Sequence, residues 1–191
     1  MNIYFLPSSL LLFLTGCSAL QPVKDLAVRH VLDPMVPDRP LSAETPAIAV
    51  KRASLPSYLD RLQLVTRTHG ELVLSELDLW GEPLDAAVAR VTASNLSRLT
   101  GSMNIQPVQN FTTLDYTALL ELKVAEFEPD AANLLSLRGT WKLQPVNGKE
   151  TRTHFFDIQI PILATPNPMS GRVTAMNQAL ERLARQIVNL M

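Results

Sequence analysis

The sequence predicts an α+β fold, in which a mainly antiparallel sheet carries two main helices packed on one face of a single domain. Apolar and polar residues alternate through residues 116–124, 135–144 and 151–160, a pattern typical of half-buried strands. Two further segments, 84–99 and 173–190, repeat apolar residues at helical spacing. The chain of 191 residues is long enough for one ordinary domain and a short tether.

Prolines and short apolar runs organise the first half of the chain. Six prolines fall between residues 18 and 56, and this favours an extended tether. Residues 24–32 are a candidate first strand, 33–45 a proline-marked connection, and 47–53 a second strand. Residues 62–68 and 71–79 form a predicted hairpin around Gly70, and a helix then opens at Pro83 and closes at Gly101. The domain proper is assigned to residues 46–191.

The second half reads as three long strands and a final helix. Asn147-Gly148 predicts a two-residue hairpin turn before the third strand, whose buried face carries Phe156, Ile158 and Ile160. Ser170 is the predicted cap of the final helix. The final helix has an apolar stripe that packs either on the sheet or against another subunit. The stripe consists of Val173, Met176, Leu180, Leu183, Ile187 and Leu190.

Composition excludes several classes of protein. Apolar residues make up 47% of the chain and charged residues 18%, which argues against a disordered protein. The net charge of −1 and the low aromatic content give no support to nucleic-acid binding. The single cysteine forms neither an internal disulfide nor a multi-thiolate metal site.

The N-terminus has the features of a lipoprotein signal peptide. Residues 1–16 carry no charged side chain, and their apolar runs are well short of the roughly 20 residues of a membrane-spanning helix. The segment 14–17 (LTGC) resembles the bacterial lipobox, which implies that residues 1–16 are removed and that Cys17 is acylated. Several acyl chains on one residue give stable anchoring. Ser18 follows the cysteine and, by resemblance to enterobacterial sorting rules, favours the outer membrane. The alternative is an ordinary signal peptide with a chance cysteine.

Catalytic and metal-binding motifs are missing from the sequence. His30, His69 and His154 have no partners at metal-ligand spacing, and no phosphate-binding glycine loop is visible. Glu76 and Asp78 could act as a general acid and base, but exposed charges on an edge strand are the commoner explanation. We therefore expect a non-enzymatic protein without a cofactor.

Two blocks of residues carry a family resemblance. They are residues 55–61 (LPSYLDR) and 79–84 (LWGEPL). Together with the lipobox and the C-terminal helix, they resemble the ABC-type transport auxiliary lipoproteins, the PqiC-like family, over essentially the whole mature chain. The departures are Gly81, where an alanine is common, and Leu62, where a proline or lysine is common.

The resemblance implies a non-enzymatic accessory subunit of an MCE-type system that transports lipid or another hydrophobic compound. Such lipoproteins sit at the periplasmic face of the outer membrane and contact a periplasm-spanning MCE-domain protein, and their relatives assemble as homo-oligomeric rings. The alternative function is an envelope assembly or pilotin-like scaffold lipoprotein, and a periplasmic hydrolase is a third hypothesis.

Four residues of the two blocks are candidate contacts for a partner or a second subunit. Tyr58, Leu59 and Arg61 either hold the turn into the next strand, with Arg61 paired to Asp60 or Glu82, or form a docking patch. Trp80 is either a core anchor or a contact residue. Tyrosine and arginine are enriched at binding hot spots. Whether the domain also encloses a lipid-binding groove is left open by the sequence.

Overall fold

The computed structural model describes residues 24–38, 40–41, 44, 46–110, 115–148 and 151–191. The signal segment and Cys17 lie outside these residues. The described part of the chain forms eight strands and two helices. In chain order they are β1 Val28–His30, β2 Ile48–Val50, β3 Gln63–Thr68, β4 Glu71–Trp80, α1 Leu84–Thr100, β5 Ile105–Pro107, β6 Ala118–Pro129, β7 Leu134–Pro145, β8 Thr153–Pro161 and α2 Pro168–Leu190.

The strands form two mixed sheets within one α+β domain. One sheet has the order β1-β4-β3 and the other β5-β2-β6-β7-β8. The pairs β3–β4, β6–β7 and β7–β8 are antiparallel, whereas β1 lies parallel to β4 and β2 lies parallel to both β5 and β6. The predicted α+β fold class is confirmed, and the sheets are mixed rather than purely antiparallel. Alternation along a strand shows that one of its faces is buried, but it does not reveal the direction of its neighbour.

The two helices contact each other and the larger sheet. α2 packs on β7 and β8, and α1 packs on β2 and β5. The apolar stripe of α2 is buried from Val173 to Ile187, so this stripe contributes to the core of the chain, while Leu190 is 57% exposed. As predicted, Phe156, Ile158 and Ile160 are buried on the partner strand β8.

The ends of the helices follow their capping residues. α1 ends at Gly101, which has a φ of 78° and donates its N–H to the Ser97 carbonyl at 2.7 Å, as its glycine predicts. The cap predicted at Ser170 is wrong. Asn167 caps α2 by accepting a hydrogen bond from the Met169 N–H at 3.0 Å, since Pro168 already occupies the first helical position.

The connection between β7 and β8 is longer than the predicted two-residue turn. The last residue pair of these strands is Lys142 with Thr153, whereas β7 continues to Pro145 beside Ala118 of β6. Gly148 still has the positive φ of a turn residue, 72°. The turn residue therefore adopts its expected conformation. However, β7 stays paired with β6 for three residues after its pairing with β8 has ended, and this lengthens the connection between β7 and β8.

A glycine at the centre of the larger sheet allows an unusually close approach. A Cβ at Gly139 would lie 2.1 Å from the Lys123 carbonyl oxygen and 2.7 Å from Cζ of Phe156. The β6–β7 register shifts between Val124 and Glu126, directly beside this position. The bulge and the glycine together bend the hairpin, and the Phe156 ring covers the glycine.

The segment 31–38 crosses the helices without regular structure and is fixed by side chains. The buried Asn95 of α1 accepts a hydrogen bond from the Val36 N–H at 3.2 Å, and Asn177 of α2 accepts one from the Asp33 N–H at 3.0 Å. Two arginines of α1 donate to carbonyl oxygens of the same segment. The polar side chains buried in the helices therefore serve to hold the incoming chain.

We predict that Gly139→Ala lowers the free energy of unfolding by about 3 kcal/mol or more, because the added methyl group meets backbone that cannot move aside. Ser136→Ala, on the same strand, is the control and should change stability by about 0.5 kcal/mol or less. Urea denaturation measures both variants. Equal stabilities of the two variants would contradict the close approach at Gly139.

Candidate partner-contact site

The four candidate contact residues converge where β2 leads into β3. The loop that carries three of them is compact, since Leu59 donates its N–H to the Pro56 carbonyl at 2.9 Å. The fourth, Trp80, is brought to the same region by its N–H, which donates to the Leu62 carbonyl at 2.6 Å. The two family blocks, distant in sequence, therefore meet in space.

Leu59 and Trp80 are buried within the chain. They are 2% and 5% exposed, and both line a small cavity together with Leu84, Phe127 and Met176. The cavity volume is about 10 Å³, which is about enough for one water molecule and far too small for an acyl chain. In this structure both side chains act as core anchors, and their role in partner contact stays a prediction.

Tyr58 belongs to a cluster around a buried carboxylate. Glu128 is 4% exposed, and its two oxygens each lie 3.1 Å from the Tyr58 hydroxyl. Arg67 donates from Nε to Oε1 at 2.8 Å, and the Phe127 N–H donates to Oε2 at 2.8 Å. Arg67 also donates to the Tyr58 hydroxyl at 2.9 Å. Because β3 supplies Arg67 and β6 supplies Glu128, the cluster links the two sheets and fixes the loop upon them.

The environment of Tyr58 holds its proton in place. Burial, and next the negative charge of Glu128, raise the pKa of Tyr58 to about 12. The hydroxyl therefore stays protonated at physiological pH and can donate to the carboxylate.

Arg61 differs from the other three residues because its guanidinium is left unpaired. The predicted pairing with Asp60 or Glu82 is not formed, and Glu82 instead binds Arg90 at 2.5 Å. Within the described residues no ion pair involves Arg61, and its Nε is buried without a hydrogen-bond partner. Arg61 is thus the candidate with a buried donor that has no partner within the described residues.

The candidate carboxylate pair on β4 does not have the geometry of a catalytic site. Asp78 lies 2.8 Å from Nε2 of His30 and accepts a hydrogen bond from the Ser75 hydroxyl at 2.9 Å, whereas Glu76 is exposed. Burial opposes ionisation of Asp78, but the hydrogen bonds from His30 and Ser75 outweigh it and keep its pKa below the usual value. The serine contacts the aspartate and not the histidine, so the nucleophile-to-base contact of a hydrolase triad is not formed.

His154 lies half-buried on β8 and stacks on Trp141, with ring centroids 4.3 Å apart. Among the residues that the structure describes, no group of three metal-ligating side chains is arranged to hold a metal ion. In the same part of the chain, neither helix has the length and apolar character needed to cross a membrane.

Sequence reasoning missed the central member of the cluster. Arg67 stands next to the first family block, but Glu128 lies 61 positions further along the chain. A glutamate near the end of a strand usually faces solvent, and no local pattern marks this one as buried. Only the long-range pairing of the strands brings it to Arg67.

The family model for the ABC-type transport auxiliary lipoprotein component matches residues 30–188, which is most of the chain. This α+β domain, with its two sheets and helical cover, therefore belongs to the ABC-type transport auxiliary lipoprotein family. Its members are lipoprotein components of envelope transport.

Solved structures share the fold. The crystal structure of an uncharacterized protein is 18% identical to this chain, with a TM-score of 0.66 and coverage of 84% of this chain and 98% of the other. A protein from Xanthomonas campestris assigned to the DUF330 family is also 18% identical, with a TM-score of 0.58 and coverage of 85% and 90%. At this identity the likeness establishes the fold alone. No curated protein sequence matches the chain.

We predict that Arg67→Ala lowers the free energy of unfolding by about 3 kcal/mol, because Glu128 would stay buried without its cation. Arg185→Ala removes an exposed ion pair with Glu181 on α2 and should cost about 0.5 kcal/mol or less. Chemical denaturation compares the two variants. A loss for Arg67→Ala no greater than the control would show that the cluster does not hold the sheets together.

The raised pKa of Tyr58 predicts a loss of stability in alkali. A group whose pKa is higher in the folded state stabilises the fold below its ordinary pKa, and this contribution is lost as the pH rises through the folded value. We expect the free energy of unfolding to fall between about pH 10 and pH 12, and Tyr58→Phe to make that fall shallower. Denaturation over a pH series tests this, with Tyr116→Phe as the control. The same slope in wild type and Tyr58→Phe would contradict it.

Proposed function

We propose that this protein is an outer-membrane-anchored lipoprotein that acts as a non-enzymatic accessory subunit of an MCE/ABC-type lipid transport system. The observation that carries the proposal is the family match over residues 30–188. The lipobox-like segment ending at Cys17 supports acylation and an envelope location. In this function the domain docks a periplasm-spanning MCE-domain protein.

The attachment of the N-terminal segment supports a short reach from the membrane. β1 pairs with β4, and residues 31–38 are fixed to the helices, so the chain is held to the domain from Val28 onward. Residues 18–27 would span only about 31 Å if fully extended, at about 3.1 Å per residue. A domain held this close to the membrane needs a partner that crosses the periplasm to reach it.

The geometry around Asp78 supports a role without catalysis. The carboxylate pair named as a candidate acid and base is separated into an exposed glutamate and an aspartate engaged by His30 and Ser75. The small cavity beside Leu59 and Trp80 is too small for a substrate. Binding to other molecules is the activity that these features favour.

A homo-oligomeric ring is part of the proposal. Tyr58 and Arg61 are the candidate contact residues that retain exposed surface, whereas Leu59 and Trp80 support the loop from within. The half-buried Arg61 forms no ion pair with a described residue, and a guanidinium suits a carboxylate or carbonyl group of a neighbouring subunit or of the MCE-domain protein.

Crosslinking and affinity capture of the intact lipoprotein from cell envelopes, followed by mass spectrometry, test the proposed partnership. We expect an MCE-domain protein to be captured. Arg61→Ala should reduce its yield several-fold, while Arg185→Ala on the far side of α2 should not. Capture of secretin or other assembly components alone would replace the transport function with a scaffold function.

Membrane fractionation tests the anchor separately. Cys17→Ala removes the acylated thiol, so we expect the protein to leave the outer-membrane fraction and to lose complementation of a deletion strain. Cys17→Ala protein that stays with the outer membrane would show that acylation of Cys17 is not the anchor.

A further inference from the structure

The face of the larger sheet that points away from the helices carries a groove. Its volume is about 390 Å³, which falls within the range of small-molecule sites. Its lining comes from β6, β7 and β8 and from the chain that follows β2. Its lining combines basic and hydroxyl side chains with apolar ones. It consists of Lys51, Arg52, Ser54, Glu121, Leu122, Lys123, Thr140, Trp141, Lys142 and Thr153.

The strand register sets the order of side chains across this face. Residues directly opposite one another on paired strands project from the same side of the sheet, about 4.8 Å apart from strand to strand. Two adjacent rows therefore cross the three strands. They are Lys123–Thr140–Phe155 and Glu121–Lys142–Thr153.

Glu121 organises two of the lysines. Its carboxylate binds Nζ of Lys51 at 3.2 Å and Nζ of Lys142 at 2.9 Å. Each ammonium group has three donors and uses one of them here, so further donors remain available in the groove. Among the described residues Lys123 has no ion-pair partner and is exposed.

The groove has a positive charge that the chain as a whole lacks. Three of the five lysines of the protein line it. Together with Arg52 they give four cations, against the carboxylates of Glu121 and of Asp85, which binds Arg52 at 3.2 Å. The complete chain has a net charge of −1. Positive charge gathered in a concave surface attracts anions more strongly than the same charges spread over a convex one.

The groups in the groove match a phosphate ester. Several ammonium donors and the hydroxyls of Ser54, Thr140 and Thr153 suit an anion with multiple acceptor oxygens, such as a phosphate group. Phe155 lies beside Thr140 at the end of one row and is 84% exposed, more than any other large apolar side chain described. A basic surface next to an exposed aromatic ring suits a molecule with an anionic head and an apolar tail.

We propose that this groove binds the phosphate group of an anionic amphiphile, with Lys51, Lys123 and Lys142 holding the phosphate and Phe155 contacting the first methylene groups of the tail. The phosphate chemistry follows from the groove alone. A free phosphate ester would present the same oxygens as a lipid headgroup. The choice of a lipid as the ligand therefore rests on the proposed transport function.

Isothermal titration calorimetry on the mature lipoprotein in a neutral detergent tests the phosphate site. The probes are dihexanoyl phosphatidylglycerol, glycerol 3-phosphate and inorganic phosphate, titrated in one buffer so that partition into micelles is common to all samples. We expect saturable binding of the lipid, and at least a tenfold loss of affinity in both Lys123→Glu and Lys142→Glu. Lys24→Glu makes the same charge change outside the groove and should leave the affinity unchanged.

If Lys142→Glu disturbs folding, the affinity of Lys123→Glu alone tests the site, because Lys123 forms no ion pair with a described residue. Circular dichroism checks that each variant is folded. No saturable binding of any probe, or an equal affinity in Lys123→Glu and Lys24→Glu, would overturn the site. Neither result would affect capture of an MCE-domain protein, so failure of this site and failure of the proposed function remain distinguishable.

The variant Phe155→Ser distinguishes a lipid ligand from a free phosphate ester. If the ligand is an amphiphile, this variant should lose affinity for dihexanoyl phosphatidylglycerol several-fold and keep its affinity for glycerol 3-phosphate. Equal binding of lipid and inorganic phosphate, with no effect of Phe155→Ser, would overturn the amphiphile and identify a free phosphate as the ligand of the same lysines.

Discussion

The rest of this structure depends on the burial of one face of the five-stranded sheet beneath α1 and α2. Leu180, Leu183 and Ile187 of α2 are fully buried, and each contributes about 1.5–3 kcal/mol by leaving water. The two helices also contact each other, so together they close that face of the sheet. Because the incoming segment 31–38 is fixed across the helices by Asn95 and Asn177, their outer side is partly covered as well. The surfaces left open for binding then include the opposite face of the sheet and the loop before β3.

The position of that loop depends on a second set of interactions, the hydrogen bonds to the buried carboxylate of Glu128. A buried charge is costly unless its acceptor positions are filled. Here the guanidinium of Arg67, the hydroxyl of Tyr58 and one backbone N–H fill them. Since these donors come from β3, the loop and β6, satisfying one carboxylate fixes the relative position of three parts of the chain. Arg61 lies three residues after Tyr58 on the same loop, half-buried and with its Nε buried without a hydrogen-bond partner.

The features that could be predicted from the sequence are those that local spacing encodes. The apolar stripe of α2, the glycine that ends α1 and the alternation of Phe156, Ile158 and Ile160 each report burial or backbone conformation within a few residues. What could not be predicted depends on distant partners. The parallel pairing of β2 with β6, the late end of β7 beside Ala118 and the role of Glu128 arise from strands that meet only in the folded chain. The cap of α2 was misplaced by three residues because Pro168 fixes the first turn earlier than Ser170.

The division of the sheet into a closed face and an open face also bears on how such a subunit can act. The core is closely packed around Gly139, and the cavity beside Leu59 has a volume of only about 10 Å³, which is too small for an acyl chain. On the open face, the Glu121 carboxylate holds Nζ of Lys51 at 3.2 Å and Nζ of Lys142 at 2.9 Å. An anion in contact with these groups would lie well inside the Debye length of about 8 Å at physiological ionic strength, so salt would weaken its attraction to them only in part. The basic groove can therefore act locally on a protein whose overall charge is close to zero.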